Sequence, residues 1–407
     1  MITEVTLENF KSHRHTHLKF DDSRLHAIVG QNSSGKTSVL QAIRCLGVAS
    51  LELDEDFFRN QQSIISFEKT KQSVVIGGEW HEQKRHIWIA QYTLEIKQDG
   101  IELTSSWNID NQTSISPAGK QNGKTLYSYR LVNESSRGKT YKRRERDILD
   151  DLKSVSVLKL IPHEMSSASY SEDVIPNLFS NGNGLASILD FTRDEDYDAF
   201  KEIERMLKSV VPEVKKLGIR RAKVEKHRQR SIQLDDGTKV PYQEQQELIG
   251  KEVVLDMKSG DRIPGHALSE GTILTLGLLT VLMSPQRPNL ILLDDIQQGL
   301  HPKAQLELMT VIKEIIQENP ELQIIFTTHS PYILDELKPS QVHVLNTDEK
   351  GYTLSKRLDE HPDIEWAMKT LTTGEMWDAE GEEWVRADET QAVESETTVE
   401  GEKAAAS

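Results

Sequence analysis

Nine consecutive residues near the N-terminus have the types and spacing of a phosphate-binding loop. They are Gly30, Gln31, Asn32, Ser33, Ser34, Gly35, Lys36, Thr37 and Ser38. Together they fill the pattern G-x-x-x-x-G-K-[ST], in which successive backbone N–H groups point inward and a helix N-terminus adds partial positive charge. The lysine of this pattern reaches the β- and γ-phosphates, and the threonine hydroxyl contacts Mg²⁺. The loop predicts binding of a nucleoside triphosphate; the alternative is a glycine-rich turn that matches by chance.

Two carboxylates far along the chain could complete this chemistry. Residues 289–295 read as an apolar strand that ends in Asp294 and Asp295. A carboxylate at the first position holds Mg²⁺, directly or through water, and one at the second orients or deprotonates the attacking water. The alternative is a buried strand that ends at solvated acids. His329 follows another apolar strand, at the edge of an open α/β sheet where ligands bind.

These residues need particular elements to position them. Residues 25–29 read as a buried strand and 37–46 as an amphipathic helix, which is the context that a phosphate loop requires. Ser269 is placed as the N-cap of an apolar helix over 268–284, and Gly271 permits a close backbone approach.

Other segments supply the remaining scaffold. Strands are predicted in the first half, and helical periodicity covers 184–210 and 303–318. Two hairpins should follow residue 210, one of them turning at Asp235–Gly237. Residues 1–46 read as strand, turn, strand, strand, phosphate loop and helix, and the later strand segments are 73–76, 86–90, 92–96, 154–161, 290–293 and 323–327.

Composition limits the class of protein. The chain has 407 residues, of which 36% are hydrophobic, and this allows a sizeable core in two or three lobes. It has one cysteine, no signal-peptide pattern at its start and no stretch as long as a membrane span, so we expect a cytoplasmic protein without membrane contact. The net charge of −16 argues against a generally basic DNA-coating protein.

The order of these motifs resembles the ATP-binding-cassette (ABC-type) ATPases of the SMC/RecF/OLD branch, which are AAA family ATP-binding proteins. The likeness extends over about residues 1–345 and includes Asn9–Arg14, Leu-Ser-Glu-Gly before the apolar helix, Gly-Leu-His-Pro at 299–302 and Thr-His-Ser-Pro at 328–331. It is similar in particular to the ATPase subunits of bacterial anti-phage systems such as Septu and retrons.

The resemblance implies further roles. Leu268, Ser269, Glu270 and Gly271 would form the signature motif, which meets the γ-phosphate bound by the opposite subunit. His329 would be the switch histidine, and residues 299–302 would lie by the dimer-facing D-loop. Lys11, Ser12 and Arg14 would approach the nucleotide from the N-terminal turn.

Some positions depart from the family pattern. Asp295 stands where the family usually has Glu, and the missing methylene withdraws the carboxylate by about an ångström; misplacement of that size can cost on the order of 10²-fold in rate. We therefore expect slow hydrolysis with binding intact. Ile296 and Gln297 replace the usual proline and glutamate, and the turn at residues 162–164 offers no Q-loop glutamine.

Two features that the sequence does not show limit the architectures that are possible. No apolar heptad persists between residues 38 and 269, so no coiled-coil rod is expected, and about 60 residues after the Thr-His-Ser-Pro motif are too few for a Toprim nuclease domain. The fold class is α/β: an ABC-type P-loop ATPase head with a mixed sheet, an antiparallel β layer from residues 62–132 and a small helical lobe near 166–230.

The expected domains follow the motifs. They are an N-terminal ATPase lobe (1–165), a helical and hairpin insertion lobe (166–240), a C-terminal ATPase lobe (241–345), a C-terminal extension (346–385) and a disordered acidic tail (386–407).

Several further features admit two interpretations. His13, His15 and His17 are read as an exposed strand face rather than metal ligands. Basic residues cluster in 137–146 and 215–230; these are solvated surfaces or contacts to DNA or RNA phosphates. Trp377 and Trp384 are read as packing anchors rather than a base-stacking platform. The basic positions are Arg137, Lys139, Lys142, Arg143, Arg144 and Arg146, and Lys215, Lys216, Arg220, Arg221, Lys223, Lys226, Arg228 and Arg230.

Three hypotheses for function stay open at this stage. The first is an ATPase that dimerises around ATP, or forms a higher homo-oligomer, and controls a separate nuclease or toxin in anti-phage defence. The second is a RecF-like DNA maintenance ATPase that acts on DNA directly. The third is a nucleotide-dependent scaffold with little turnover. ATP and Mg²⁺ are the expected cofactors in each case.

Overall fold

A computed structural model describes most of the chain as two compact units. The described residues are 1–48, 73–82, 86–97, 100–109, 113–117, 120–121, 124–125, 129–131, 155–233, 239–284, 287 and 289–386. The first unit comprises Met1–Val157, Pro288–Gln297 and Ile316–Ser407, and the second comprises Leu158–Arg287 and Gln298–Ile315. The domain boundaries expected from the sequence stay a prediction.

The elements are numbered in chain order. The strands are β1 (Ile2–Phe10), β2 (His13–Lys19), β3 (Leu25–Gly30), β4 (Ser73–Glu82), β5 (His86–Lys97), β6 (Gly100–Ile109), β7 (Thr113–Pro117), β8 (Lys120–Gln121), β9 (Lys124–Thr125), β10 (Tyr129–Leu131), β11 (Ser156–Leu158), β12 (Val214–Gln233), β13 (Lys239–Met257), β14 (Arg262–Pro264), β15 (Leu290–Leu293), β16 (Gln323–Thr327), β17 (Val342–Thr347) and β18 (Thr353–Arg357). The α-helices are α1 (Lys36–Val48), α2 (Pro162–Ser166), α3 (Leu185–Glu195), α4 (Tyr197–Val210), α5 (Glu270–Met283), α6 (Pro302–Glu318), α7 (Pro331–Leu334), α8 (Ile364–Ala367) and α9 (Thr373–Glu380).

A six-stranded mixed sheet carries the phosphate loop, as expected. Its strand order is β11-β15-β16-β3-β17-β18; β15, β16, β3 and β17 run parallel to one another, and β18 runs antiparallel to β17. All six residues of β3 and all four of β15 are buried. Strands covered on both faces are continuously apolar, which explains why the sequence shows uninterrupted apolar runs here.

A seven-stranded antiparallel sheet forms the predicted β layer. Its order is β10-β7-β6-β5-β4-β1-β2, so the N-terminal hairpin belongs to this sheet. Residues 86–97 form one strand where the sequence suggested two. Helix α1 packs against β4 of this sheet and against β3 and β16 of the mixed sheet, and Leu7, Leu40 and Ile325 share one buried cluster. The helix that follows the phosphate loop is thereby fixed on two sides.

The second unit combines helices with a long β ribbon. Helices α3 and α4 confirm the helical period predicted over 184–210, and 214–233 is a strand of the hairpin region predicted after residue 210. Strand β12 pairs along its length with β13, and β13 pairs with β14, which confirms the two predicted hairpins. The predicted turn at Asp235–Gly237 lies outside the described residues.

The two tryptophans can be compared with their prediction, whereas two other predicted segments cannot. Trp377 is buried, and Trp384 packs edge-on against His361 with ring centroids 4.9 Å apart, as expected of packing anchors. The basic cluster at 137–146 and the tail from residue 387 lie outside the described residues. In the part of the chain that the structure describes, no helix has the length and apolar character needed to cross a membrane.

Candidate nucleotide-binding site

The backbone of the phosphate loop takes conformations that favour glycine. Gly30 ends β3 with a φ of +142°, and Gly35 has a φ of +99° immediately before α1. A Cβ on Gly30 would lie 2.1 Å from the carbonyl oxygen of Leu345, which stands opposite it on β17. The two glycines of the motif are therefore required by the curvature of the loop and by its close contact with the neighbouring strand.

Lys36 lies across the loop that precedes it. Its Nζ donates hydrogen bonds to the carbonyl oxygens of Gly30 (2.8 Å) and Gln31 (2.7 Å), and only 8% of the residue is exposed. Burial lowers the pKa of Lys36, and the carboxylates of Asp295, Glu382 and Asp294 oppose that shift. These three acids therefore lie within electrostatic reach of the ammonium.

Thr37 and Asp294 come together from distant parts of the sequence. The Thr37 hydroxyl donates to both carboxylate oxygens of Asp294, at 3.1 and 3.2 Å. Thr327, at the end of β16, donates to the same Asp294 Oδ1 at 2.8 Å. A threonine hydroxyl beside a carboxylate offers the hard oxygen ligands that Mg²⁺ prefers, so the residues present fit this ion.

Asp295 is held in an unusual backbone conformation. Its φ is +56°, a left-handed value that is uncommon for residues other than glycine, although Asp and Asn tolerate it best. Its N–H donates to the Thr327 hydroxyl at 2.8 Å. The Thr327 side chain therefore hydrogen-bonds to both aspartates that follow β15.

His329 follows β16 close to these groups. Burial is the main cause that lowers the pKa of His329, and the charge of Lys36 lowers it further. The carboxylates of Asp295 and Asp294 oppose the shift. The structure thus brings Lys36, Thr37, Asp294, Asp295 and His329 together in the first unit.

The N-terminal turn also borders the loop. Lys11, with a φ of +52°, hydrogen-bonds to Gln41 on α1. Ser12 shares a hydrogen bond of 2.8 Å with Thr353, whose hydroxyl donates to the Ser34 carbonyl at 2.9 Å. The guanidinium of Arg14 lies 5.9 Å from the centroid of the Tyr352 ring.

His13 corrects the expectation of an exposed strand face. His15 and His17 are exposed, but His13 is fully buried, because the alternation along β2 breaks after the turn. Its Nε2 donates to the Gly35 carbonyl at 3.2 Å, and its Nδ1 therefore accepts from the Thr16 hydroxyl at 3.0 Å. Burial lowers the pKa of His13 to about 4. Period-two alternation could not have revealed this support for the loop.

Glu382 is a second residue that sequence reasoning missed. It lies in the C-terminal extension, and its side chain accepts a hydrogen bond from Gln31 of the phosphate loop. No motif marks this glutamate, and its contact with the loop depends on the folding of the whole first unit.

The candidate signature residues belong to the second unit. Ser269 caps α5 as predicted, since its hydroxyl accepts from the Thr272 N–H at 3.3 Å. A Cβ on Gly271 would lie 2.4 Å from the carbonyl oxygen of Gly299, which confirms the close backbone approach. Both glycines line a cavity of about 350 Å³ with His301. Leu268 and Glu270 flank the cap.

These features define a class of protein. A mixed sheet, a phosphate loop braced by α1 and a strand that ends in acids beside the loop threonine form the head of an ABC-type P-loop ATPase of the SMC/RecF branch. Residues 25–335 match the family described as "AAA domain, putative AbiEii toxin, Type IV TA system", and the chain belongs to this family.

Three relatives share short stretches with the chain. The "Retron Vc95 probable ATPase" of Vibrio cholerae serotype O1 biovar El Tor is 30% identical over 107 residues, and the Septu protein PtuA of Bacillus thuringiensis is 31% identical over 87. The DNA replication and repair protein RecF of Bacillus mycoides (strain KBAB4) is 40% identical over 48 residues. The matches cover 23%, 21% and 12% of this chain and only 20%, 20% and 12% of the respective relatives.

A solved structure of an SMC head shares the fold. An SMC head bound to the C-terminal winged-helix domain of ScpA superposes with a TM-score of 0.52 at 15% identity, over 88% of this chain and 99% of the other. The SMC head domain of Thermotoga maritima gives a TM-score of 0.46 at 13% identity, over 88% and 98%.

Proposed function

We propose that this ATPase binds ATP with Mg²⁺ at the phosphate loop, dimerises around the nucleotide and controls a separate effector protein. The observation that carries the proposal is the contact of Thr37 with both oxygens of Asp294 beside the buried Lys36. Thr37 and Asp294 lie 257 positions apart in sequence, so only the fold brings them together.

The roles in ATP binding follow from the positions of the side chains. The N–H groups of the loop and of the first turn of α1 would bind the phosphates, and Lys36 would exchange its carbonyl partners for phosphate oxygens. Thr37 and Asp294 would hold Mg²⁺, which neutralises the charge that develops on the phosphates when it is bound. Lys11, Ser12 and Arg14 would border the nucleotide from the N-terminal turn.

Hydrolysis would depend on Asp295 and His329. The Thr327 hydroxyl fixes the backbone of Asp295, which leaves the carboxylate to orient the attacking water. His329, kept neutral by burial and by Lys36, would hydrogen-bond to that water or to the γ-phosphate. The aspartate is shorter than the glutamate usual at this position, so we propose slow turnover.

The signature motif would act on the nucleotide of a second copy. Leu268, Ser269, Glu270 and Gly271 lie at the N-terminus of α5, whose unsatisfied N–H groups carry partial positive charge. In a homodimer bridged by ATP, this end of the helix would close over the γ-phosphate bound by the other subunit. ATP then stabilises the dimer, and hydrolysis releases it.

The nature of the effector is proposed from the relatives. Two of the three matched relatives are a retron ATPase and a Septu protein, which favours a nuclease or toxin partner in anti-phage defence. A RecF-like role on DNA is the second candidate, because the match to RecF is 40% identical over 48 residues. A scaffold with little turnover is the third candidate, and Asp295 is the residue that favours it.

Nucleotide binding by the Lys36→Ala variant tests the central proposal. We expect the unmodified chain to bind a fluorescent ATP analogue in the presence of Mg²⁺ and to form a dimer by light scattering. Lys36→Ala should lose both properties while keeping the same thermal unfolding profile. Full ATPase activity in Lys36→Ala would contradict the proposed site.

The effector is tested by co-purification. The chain should be isolated together with the product of an adjacent nuclease or toxin gene. Salt-sensitive binding to DNA ends by the purified chain alone would favour the RecF-like candidate instead. Tight ATP binding without measurable turnover would favour the scaffold.

A further inference from the structure

The C-terminal extension packs beside the nucleotide site within the first unit. Helix α9 packs against α7, the helix that follows His329. The Thr373 hydroxyl donates to the Leu337 carbonyl at 2.7 Å, and the N–H of Gly374 donates to Asp335 at 2.9 Å. A Cβ on Gly374 would lie 2.0 Å from the Pro331 carbonyl oxygen, so the extension is in close contact with the helix that follows His329.

The next residues are anchored to the strand that borders the phosphate loop. Asn346, near the end of β17, donates from Nδ2 to the Glu382 carbonyl at 2.8 Å. Arg386 donates from Nε to the Thr347 carbonyl at 2.6 Å and from a terminal nitrogen to Asn346 Oδ1 at 3.2 Å. Because Leu345 of the same strand lies opposite Gly30, these bonds hold the backbone of Glu382 next to the loop.

The Glu382 carboxylate faces the loop itself. It accepts a hydrogen bond from Gln31 and attracts Lys36, whereas His329 is influenced by Asp294 and Asp295. Burial raises the pKa of Glu382, and its bond to Gln31 opposes that shift. The carboxylate therefore lies near Lys36, the lysine proposed to reach the β- and γ-phosphates.

We infer that Glu382 is a specificity-determining residue that competes with the terminal phosphate for Gln31 and Lys36 and so sets the affinity of the site for ATP relative to ADP. The inference rests on the proposed nucleotide site and adds a residue outside its motifs. A nucleotide that places a γ-phosphate beside Lys36 brings its negative charge close to this carboxylate. The carboxylate must then move away from the loop or remain there against repulsion, and both cost binding free energy.

The predicted effect differs between nucleotides. ADP lacks the γ-phosphate and so carries less charge near Glu382. Replacing the carboxylate by an amide removes the repulsion while keeping a hydrogen-bonding group for Gln31. We expect Glu382→Gln to bind ATP about tenfold more tightly, with a smaller gain for ADP, and both gains should shrink at high salt.

The test is a titration of the full chain with fluorescent ATP and ADP analogues in Mg²⁺. Glu365→Gln is the matched control, because it makes the same change at an exposed residue on α8 of the same C-terminal extension. This control should bind within about twofold of the unmodified chain, as expected for a screened surface charge. Thermal unfolding of both variants checks that they are folded.

The outcomes distinguish a failure of the role inferred for Glu382 from a failure of the proposed nucleotide binding. If Glu382→Gln binds ATP with unchanged or lower affinity, or gains equally for ATP and ADP, the inference is overturned, and lower affinity would make Glu382 a support for Gln31. If the unmodified folded chain binds neither nucleotide, the proposed function fails first. If Glu365→Gln gains as much as Glu382→Gln, the effect is one of net charge and the inference is again overturned.

Discussion

Asp295 combines a left-handed backbone with the position proposed to orient water. Its N–H bond to Thr327 fixes where the side chain begins, so the length of the side chain decides how far the carboxylate reaches. The proposal of slow hydrolysis depends on this one residue. It can be tested by changing the length and the charge separately.

We expect Asp295→Asn to bind ATP normally and to lose turnover. Asn tolerates a positive φ as well as Asp does, so the backbone should persist while the negative charge disappears. The expected loss in kcat is at least about 10²-fold. Asp295→Glu restores the usual length, and its kcat should rise by about tenfold. Steady-state phosphate release measures both variants, and retained turnover in Asp295→Asn would show that another group orients the water.

His13 supports the phosphate loop through its hydrogen bond to the Gly35 carbonyl. Its truncation in His13→Ala leaves that carbonyl without its partner and opens a cavity beside the loop. We expect the free energy of unfolding to fall by about 1–3 kcal/mol and the affinity for ATP to fall with it. Denaturant unfolding and nucleotide titration measure the two effects. His15→Ala, at an exposed position on the same strand, should change neither.

The β12–β13 ribbon determines how the basic cluster at 215–230 is interpreted. Arg220 pairs with Glu252, and Lys223 pairs with Glu247 at 2.7 Å, so part of the positive charge on β12 is neutralised by β13. Lys215, Lys216 and Arg221 are exposed. Cross-strand ion pairs of this kind favour a solvated ribbon over a dedicated nucleic-acid surface.

We therefore expect the isolated chain to bind duplex DNA no more tightly than its Lys215→Glu/Lys216→Glu variant. If the two lysines did neutralise DNA phosphates, their replacement would reduce the slope of log K against log salt by about one for each phosphate. Fluorescence anisotropy at several salt concentrations measures this slope. A steep slope that the double variant abolishes would favour the RecF-like candidate over the effector candidate.

The same elements indicate what the sequence can predict. Strand β3, the phosphate loop and α1 are local in sequence, and their pattern was sufficient to place them. The membership of β1 in the antiparallel sheet could not be predicted, because it pairs with β4 across a long sequence separation. The roles of His13 and Glu382 were missed for the same reason: both depend on tertiary contacts, with Gly35 and Gln31 respectively.

For the whole molecule, buried neutral histidines link stability to pH. Burial lowers the pKa of His343 to about 3 and that of His13 to about 4, whereas both titrate near 6.5 in the unfolded chain. Below pH 6.5 the unfolded chain takes up protons that the folded chain excludes. Stability contributed by these residues is therefore complete above that pH and is lost as the pH falls toward the folded pKa values.

We expect the free energy of unfolding to decrease between pH 7 and pH 5, by up to about 2 kcal/mol for each of the two histidines. Urea unfolding at the two pH values measures the change. The His343→Leu variant has one fewer group to titrate, so it should lose less over this interval whatever its stability at pH 7. An equal loss in both proteins would show that other groups control the acid sensitivity.

The motifs are divided between the two units. The phosphate loop, Asp294, Asp295 and His329 belong to the first, and the signature residues with Gly299 belong to the second. Changes at Gly271 should therefore leave ATP binding by the monomer intact and weaken only the dimer that ATP is proposed to bridge.

The Thr327 hydroxyl has a consequence for how this ATPase can diverge. It donates to Asp294 and accepts from the N–H of Asp295, so one oxygen atom orients both the residue proposed as metal ligand and the residue proposed to orient water. Selection cannot adjust these two properties independently through position 327. A descendant that keeps nucleotide binding but abandons turnover is expected to change at Asp295 and to retain the threonine.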